Sequence, residues 1–293
     1  MFYYMLSIFA AIGCAGNFAV TKIYQKQMGA GIREGIIFNI YIGLFCSILF
    51  YVISGFKLEY TDYSFIMAAV FTLFVGMYTV IGFKIMSMGS MTVYTVFLML
   101  GGAVVPYIYG ILFLAERVNI FRISALLLVI CSVLLNTFGE KQGKQSAKFI
   151  LLCIAVFFLN GAVSVISKLH QIEKVYPAVS AESFVVLKSI LRFFMFLMFL
   201  PFFGKQKKEY QTKKISFKIY IVMLASAVAS GGSYFLQLIG AAHMPASVLY
   251  PVVTGGTIVT TSLFDRIFFR QRLSRNTVIS IFTCVIALIL FVV

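Results

Sequence analysis

Lys188 and Arg192 are four residues apart in "VVLKSILRFF", inside an apolar stretch that runs from 179 to 203. At that spacing two helical side chains share a face one turn apart, where like charges repel. A charge at the middle of a bilayer costs at least about 2.5–3.5 kcal/mol on the mildest scale. No Asp or Glu lies three or four residues from either cation. The pair must therefore face water, a partner on another helix or an anion. One reading is a cavity wall that binds a carboxylate or phosphate. The other is that Lys188 snorkels to an interface and Arg192 bonds backbone carbonyls. Asn17 and Asn160 are amides in the middle of other apolar stretches. Such groups need a polar partner in a membrane bundle, so they serve as helix–helix glue or as substrate contacts. Tyr94, Tyr234, Gln237 and Tyr250 are further substrate-binding candidates, and His243 reads as a solvated loop residue.

What is missing narrows the chemistry. The interiors of the apolar stretches carry no central acid, and Glu182 and Asp265 lie near their ends. A carrier of cationic drugs needs a buried carboxylate, so neutral, zwitterionic or anionic cargo is favoured. Proton coupling through a buried acid is disfavoured for the same reason. No phosphate-binding loop is present, which excludes direct ATP drive. No nucleophile–base pair or metal-ligand cluster points to an enzyme, a metal site or a cofactor. The five cysteines, Cys14, Cys46, Cys131, Cys153 and Cys284, all fall in apolar stretches without CxxC spacing, as expected for small packing residues.

The elements that must position these residues are membrane helices. The chain is 61% hydrophobic and 11% charged, with a mean hydropathy of +1.01, too little charge for a soluble surface. Ten apolar runs cover 2–21, 35–54, 63–83, 91–115, 120–138, 149–167, 179–203, 219–242, 246–268 and 276–293. Each is about the length a helix needs to cross ~30 Å of hydrocarbon. They are continuous rather than alternating, which excludes barrel strands. "MFYYMLSIFAAIG" lacks a positive leader and reads as the first membrane helix, not a removed signal.

The net charge of +15 invites nucleic acid as a partner, but its distribution argues against it. If the helices alternate in direction, seventeen Lys and Arg fall in connections on one side, Lys22, Lys26 and Arg266 among them. Five, including Lys57 and Lys174, fall on the other. The richer side belongs in the cytoplasm. With ten spans both termini are then extracytoplasmic, in a cell (plasma or inner) membrane. The expected partners are the lipid bilayer and a small-molecule substrate, and a homodimer stays open.

The chain also repeats itself. "AVTKIYQK" (Ala19–Lys26) matches "VISKLHQ" (Val165–Gln171), which sets Lys22 on Lys168 at an offset of 146. At an offset of 155, "SMTV" (Ser90–Val93) falls on "PASV" (Pro245–Val248) and Gly101 on Gly256. The same offset sets "ERVN" (Glu116–Asn119) on "QRLS" (Gln271–Ser274). The fold expected is all-α and integral to the membrane, with ten transmembrane helices in two five-helix repeats. These cover 1–139 and 149–293, joined by a polar linker at 140–148. Five is odd, so the second unit is inverted, the usual build of alternating-access carriers. Lys22 and Lys168 become candidate gates. Gly101, Gly102, Gly255 and Gly256, near Pro106 and Pro251, become candidate hinges, either as local breaks or as close packing.

Three stretches add a family resemblance. "GCAGNFAVTK" (Gly13–Lys22) resembles the first-helix element of EamA-type proteins. "FLAERVNIFRISALLLVICSVLL" (Phe113–Leu135) is similar to their Glu-Arg turn and fifth helix, and "LRFFMFLMFL" (Leu191–Leu200) to their Arg-Phe element. By this resemblance the chain is identified as a member of the drug/metabolite transporter (DMT) superfamily. The resemblance implies a ten-helix basket in which helices one to four and six to nine surround a cavity. It also implies export of amino acids or other metabolites. The chain departs from the pattern at Gln271-Arg272, where the second turn lacks its acid, and at Ser124 and Ala125, where glycines are usual. The function expected is secondary transport, probable export in direction, of a small zwitterionic or anionic metabolite. The alternatives are a flippase for a lipid-linked anion and a non-transporting receptor or assembly protein.

Overall fold

The computed structural model describes residues 1–29, 31–88, 91–117, 119–137, 146–203, 216–270 and 274–292. Most of the linker, 140–145, lies outside these residues, as do Ser90, Gln271 and Arg272. Within them the chain forms ten helices and no strand. The helices are α1 (Phe2–Met28), α2 (Ile32–Ile53), α3 (Asp62–Met88), α4 (Met91–Phe113), α5 (Ile120–Thr137), α6 (Ala147–Ile172), α7 (Ala181–Phe203), α8 (Phe217–His243), α9 (Ala246–Phe268) and α10 (Arg275–Val292). Among the described residues nine are long and apolar enough to cross a membrane, and the apolar part of α5, Ile120–Leu135, is shorter. This is a helical, multi-pass membrane architecture.

Each expected run falls on one helix, but several helices outlast their apolar run. α1 continues through Lys22, Gln25 and Lys26 to Met28, and α6 through Lys168, His170 and Gln171 to Ile172. Apolar length reports the hydrocarbon crossing, whereas Lys and Gln sustain a helix well beyond it. α1 stops at Gly29, whose φ of 107° suits glycine and whose N–H bonds the Gln25 carbonyl.

The bundle is apolar outside and, for most of its core, apolar within, with a minority of buried polar side chains. Leu112, Phe113, Leu151, Met198, Phe202 and Phe282 are exposed, as lipid-facing side chains should be. Buried hydroxyls bond backbone carbonyls instead. Ser132 and Ser280 exchange such bonds at 2.9 Å each way, locking α5 to α10. α9 is the most enclosed helix, with 67% of its apolar window buried against 22–39% for the others. α1 packs on α8 and α9, α6 on α3 and α4, and α2 on α7 and α8. α3 also meets α7, α4 meets α9, and α5 meets α10.

Glycine lets several of these helices touch through their backbones. A Cβ on Gly43 of α2 would lie 2.8 Å from the Phe193 nitrogen of α7, and one on Gly101 of α4 would strike the Phe157 backbone of α6. The local breaks considered at Gly101-Gly102, Gly255-Gly256, Pro106 and Pro251 are absent: α4 and α9 run through all of them as continuous helix. The glycines are consumed by contact. Gly102 faces the Asn160 amide, Gly255 the Cys284 sulfur and Gly256 the Ala11 methyl.

Candidate functional site

A cavity of about 440 Å³ lies in the bundle, lined by residues of α1 to α4 and α6 to α9; among the described residues none of its lining comes from α5 or α10. Lys188, Arg192, Asn17, Asn160, Tyr234, Gln237, Tyr250 and Gly102 all face it. Tyr94 does not. It packs with Ile85, Phe149 and Cys153 between α3, α4 and α6. Lys22, Lys168, Gly101, Gly255, Gly256, Pro106 and Pro251 also lie outside the lining.

The two α7 cations are held differently. The Arg192 guanidinium donates to Asn39 Oδ1 of α2 through Nε, at 3.1 Å, and through Nη2. Asn39 Nδ2 in turn donates to the Gly35 carbonyl at 2.7 Å, which fixes the amide with its oxygen toward Arg192. The Lys188 ammonium sits 3.8 Å from the Tyr234 ring centroid and 5.4 Å from that of Phe71. That is a cation–π seat. Among the described residues neither cation has a carboxylate partner, and no Asp or Glu lines the cavity.

Both amides expected to matter are tied between helices. Asn17 Oδ1 accepts from Ser226 of α8 at 2.6 Å, and Asn160 Nδ2 donates to the Leu98 carbonyl of α4 at 2.7 Å. Each joins two helices and still borders the cavity. Tyr234 bonds Ser167 at 2.8 Å, and Tyr250 donates to the Ser164 carbonyl at 2.7 Å. Asn39 was not among the candidates. It is an amide inside the second apolar run, and the reasoning applied to Asn17 finds it equally. Tyr78, Ser230 and Thr257 also line the cavity, with nothing in their local sequence to mark them.

The ends of the bundle differ. The lining reaches one end at the α1–α2 connection, through Gln25, Gly29 and Gly31. Near this mouth Lys22 pairs with Asp265 of α9 at 2.7 Å, both about one-third exposed, and lies 4.5 Å from the Phe269 ring centroid. The opposite end is tied shut around the α8–α9 connection. Lys168, only 6% exposed, donates to the Ala241 and Met244 carbonyls at 2.7 Å each. Glu116 accepts from the Ala246 and Ser247 N–H groups that open α9, at 2.7 and 2.9 Å. Beside them His170 bonds Ser64, which also accepts from the Val179 N–H, pinning the α6–α7 connection to α3. In that connection the exposed Glu173 carboxylate accepts from the Val175, Tyr176 and Lys174 N–H groups, which holds its carboxyl below the usual range. Lys22 and Lys168 align in sequence but serve different ends with different partners. His243 is exposed as expected and meets Tyr3 edge to face.

No family model and no curated protein matches the chain. Its fold does have relatives: 28 solved chains match it. One crystal structure, described only as that of a protein, superimposes with a TM-score of 0.76. The match covers 98% of this chain and 95% of that one, at 12% identity. At that identity the likeness is one of fold.

Proposed function

We propose that this chain is a secondary transporter of the drug/metabolite type, moving a small zwitterionic or anionic metabolite outward across the cell membrane by alternating access. The observation that carries this reading is a central cavity open at one end, tied shut at the other, and lined by two cations and no acid among the described residues. A closed end and an open end are what one state of an alternating-access carrier requires. A cavity of about 440 Å³ counts against a filled receptor or assembly protein.

The packing map supports the two inverted five-helix units, 1–139 and 149–293. Exchanging each helix with the one five places on turns α1–α8 into α6–α3, α1–α9 into α6–α4 and α2–α8 into α7–α3, and all of these contacts occur. The pairs α2–α7, α4–α9 and α5–α10 map onto themselves. Such exchanges are what a pseudo-two-fold axis between the halves would produce, the arrangement that lets a central site face either side, while α6–α8, α7–α8 and α5–α9 pack without such a counterpart.

The test is counterflow in proteoliposomes. Vesicles are loaded with unlabelled amino acids and organic anions, and uptake of labelled members is followed for the wild type and Lys188→Gln. Transient accumulation lost in the variant is expected. No accumulation of any soluble solute would sink the carrier reading and leave the lipid-linked anion as the cargo to test.

A further inference from the structure

Resting on the reading of this cavity as the binding site, we infer that its ligand is a hydroxylated organic anion without an amine, and that Lys188 selects it. Two features of the lining lead there. The first is charge. Arg192 spends two of its five N–H groups on Asn39, whereas the Lys188 ammonium, among the described residues, meets only the rings of Tyr234 and Phe71. Lys188 is therefore the cation whose whole head is free to take an oxyanion. No carboxylate lines the cavity among the described residues to receive a ligand ammonium, and the Tyr234 face that could cradle one is occupied. In an α-amino acid the ammonium and carboxylate share one carbon. Seating the carboxylate on Lys188 drives the ammonium against two protein cations, a repulsion that low-dielectric surroundings strengthen.

The second feature is the direction of the hydrogen bonds. The wall hydroxyls have spent their protons on backbone carbonyls: Thr21 on Asn17, Thr79 on Val75, Ser230 on Ser226, Ser233 on Ala10 and Thr257 on Val253, all at 2.6–2.7 Å. Gln237 commits both its N–H groups, to Ser233 and Cys14, and Asn160 one of its two. What most of the wall hydroxyls still offer the cavity is lone pairs, beside the remaining N–H groups of Asn17 and Asn160. The wall away from α7 thus presents acceptors and donors together, and ligand hydroxyls, which do both, satisfy it. An anionic head on Lys188 and a tail of hydroxyls meet both demands. An alkyl carboxylate leaves the acceptors unpaired, and an uncharged polyol leaves the cation unpaired. The head is a carboxylate or a phosphate, since both present oxyanions to an ammonium.

Binding to the full chain in lipid nanodiscs, read as a thermal shift titrated with ligand, tests this without requiring transport. The probes share a six-carbon frame: gluconate, 2-amino-2-deoxygluconate, hexanoate, glucitol and glucitol 6-phosphate. Gluconate or glucitol 6-phosphate should half-saturate at least about tenfold below the other three, and which of the two binds tighter names the head group. Lys188→Gln should abolish the difference between gluconate and glucitol. Asn17→Asp keeps an acceptor for Ser226 and adds a carboxylate to the wall, so it should shift preference toward the amino compound. Equal or tighter binding of 2-amino-2-deoxygluconate or hexanoate by the wild type overturns the inference, and so does unchanged gluconate binding by Lys188→Gln. Selective gluconate binding without counterflow would sink the carrier reading and leave this inference standing. Counterflow of amino acids that gluconate does not inhibit would do the reverse.

Discussion

Three cations near the cavity illustrate how burial and partners decide what a charge does. Lys22 and Asp265 are each about one-third exposed, and such pairs contribute little, about 0–1 kcal/mol. Lys168 is almost fully enclosed and donates to two carbonyls at the end of α8, the strong, charge-assisted kind of bond. Lys168→Met should therefore lower unfolding stability by about 2–4 kcal/mol, and Lys22→Met by less than about 1 kcal/mol. Both are measured by denaturant titration in mixed micelles, and equal losses would refute the division. On α7 the distinction is geometric. The Arg192 fork holds one amide oxygen through two nitrogens, which an ammonium cannot reproduce. Arg192→Lys should lose as much counterflow as Arg192→Gln despite keeping the charge. Full rescue by lysine would show that charge alone matters there.

At the level of elements, glycine position decides which helices can approach. Gly101 of α4 abuts the Phe157 backbone of α6, where nothing flexible can yield, whereas a Cβ on Gly232 of α8 meets nothing within 4 Å. Gly101→Ala should cost about 1–3 kcal/mol by forcing α4 from α6. Gly232→Ala should be neutral, or stabilising by up to about 1 kcal/mol through helix propensity. Comparing their melting midpoints in detergent checks the pair, and a tolerated Gly101→Ala would remove the close-contact role. The helices themselves were legible in the sequence, because a membrane helix is written as a long apolar run. Their ends were less so, since Lys22 to Met28 and Lys168 to Ile172 extend a helix without adding hydropathy. The glycine pairs were visible, but whether they bend a helix or seat a neighbour depends on what stands opposite, and Phe157 and Asn160 lie about 60 residues away. The cations and mid-helix amides stood out because they are expensive in lipid. Ser230 and Thr257 did not, because hydroxyls that bond their own helix are cheap in any membrane helix and carry no signature of facing a cavity.

The whole molecule has a direction. Its cavity reaches the bundle end at Gln25, Gly29 and Gly31, the end to which strict alternation of the helices assigns seventeen of the Lys and Arg in the sequence, against five opposite. If the positive-inside rule holds for this chain, the structure is inward-facing, and the sealed end around Lys168, Glu116 and His170 faces out. Membrane-impermeant maleimide labelling separates these possibilities in a Cys14→Ser, Cys131→Ser background, since Cys14 lines the cavity. Cys131 is exposed, while Cys46, Cys153 and Cys284 are buried and Cys14 is half-buried. Gln25→Cys reports the mouth, and Val175→Cys, on the exposed α6–α7 connection, reports the other end. In intact cells the reagent should label Val175→Cys and spare Gln25→Cys, and in inside-out vesicles the pattern should reverse. Labelling of both from one side would break the bundle geometry itself. The opposite pattern would keep the cavity and invert the protein in its membrane, so that the mouth collects cargo from outside.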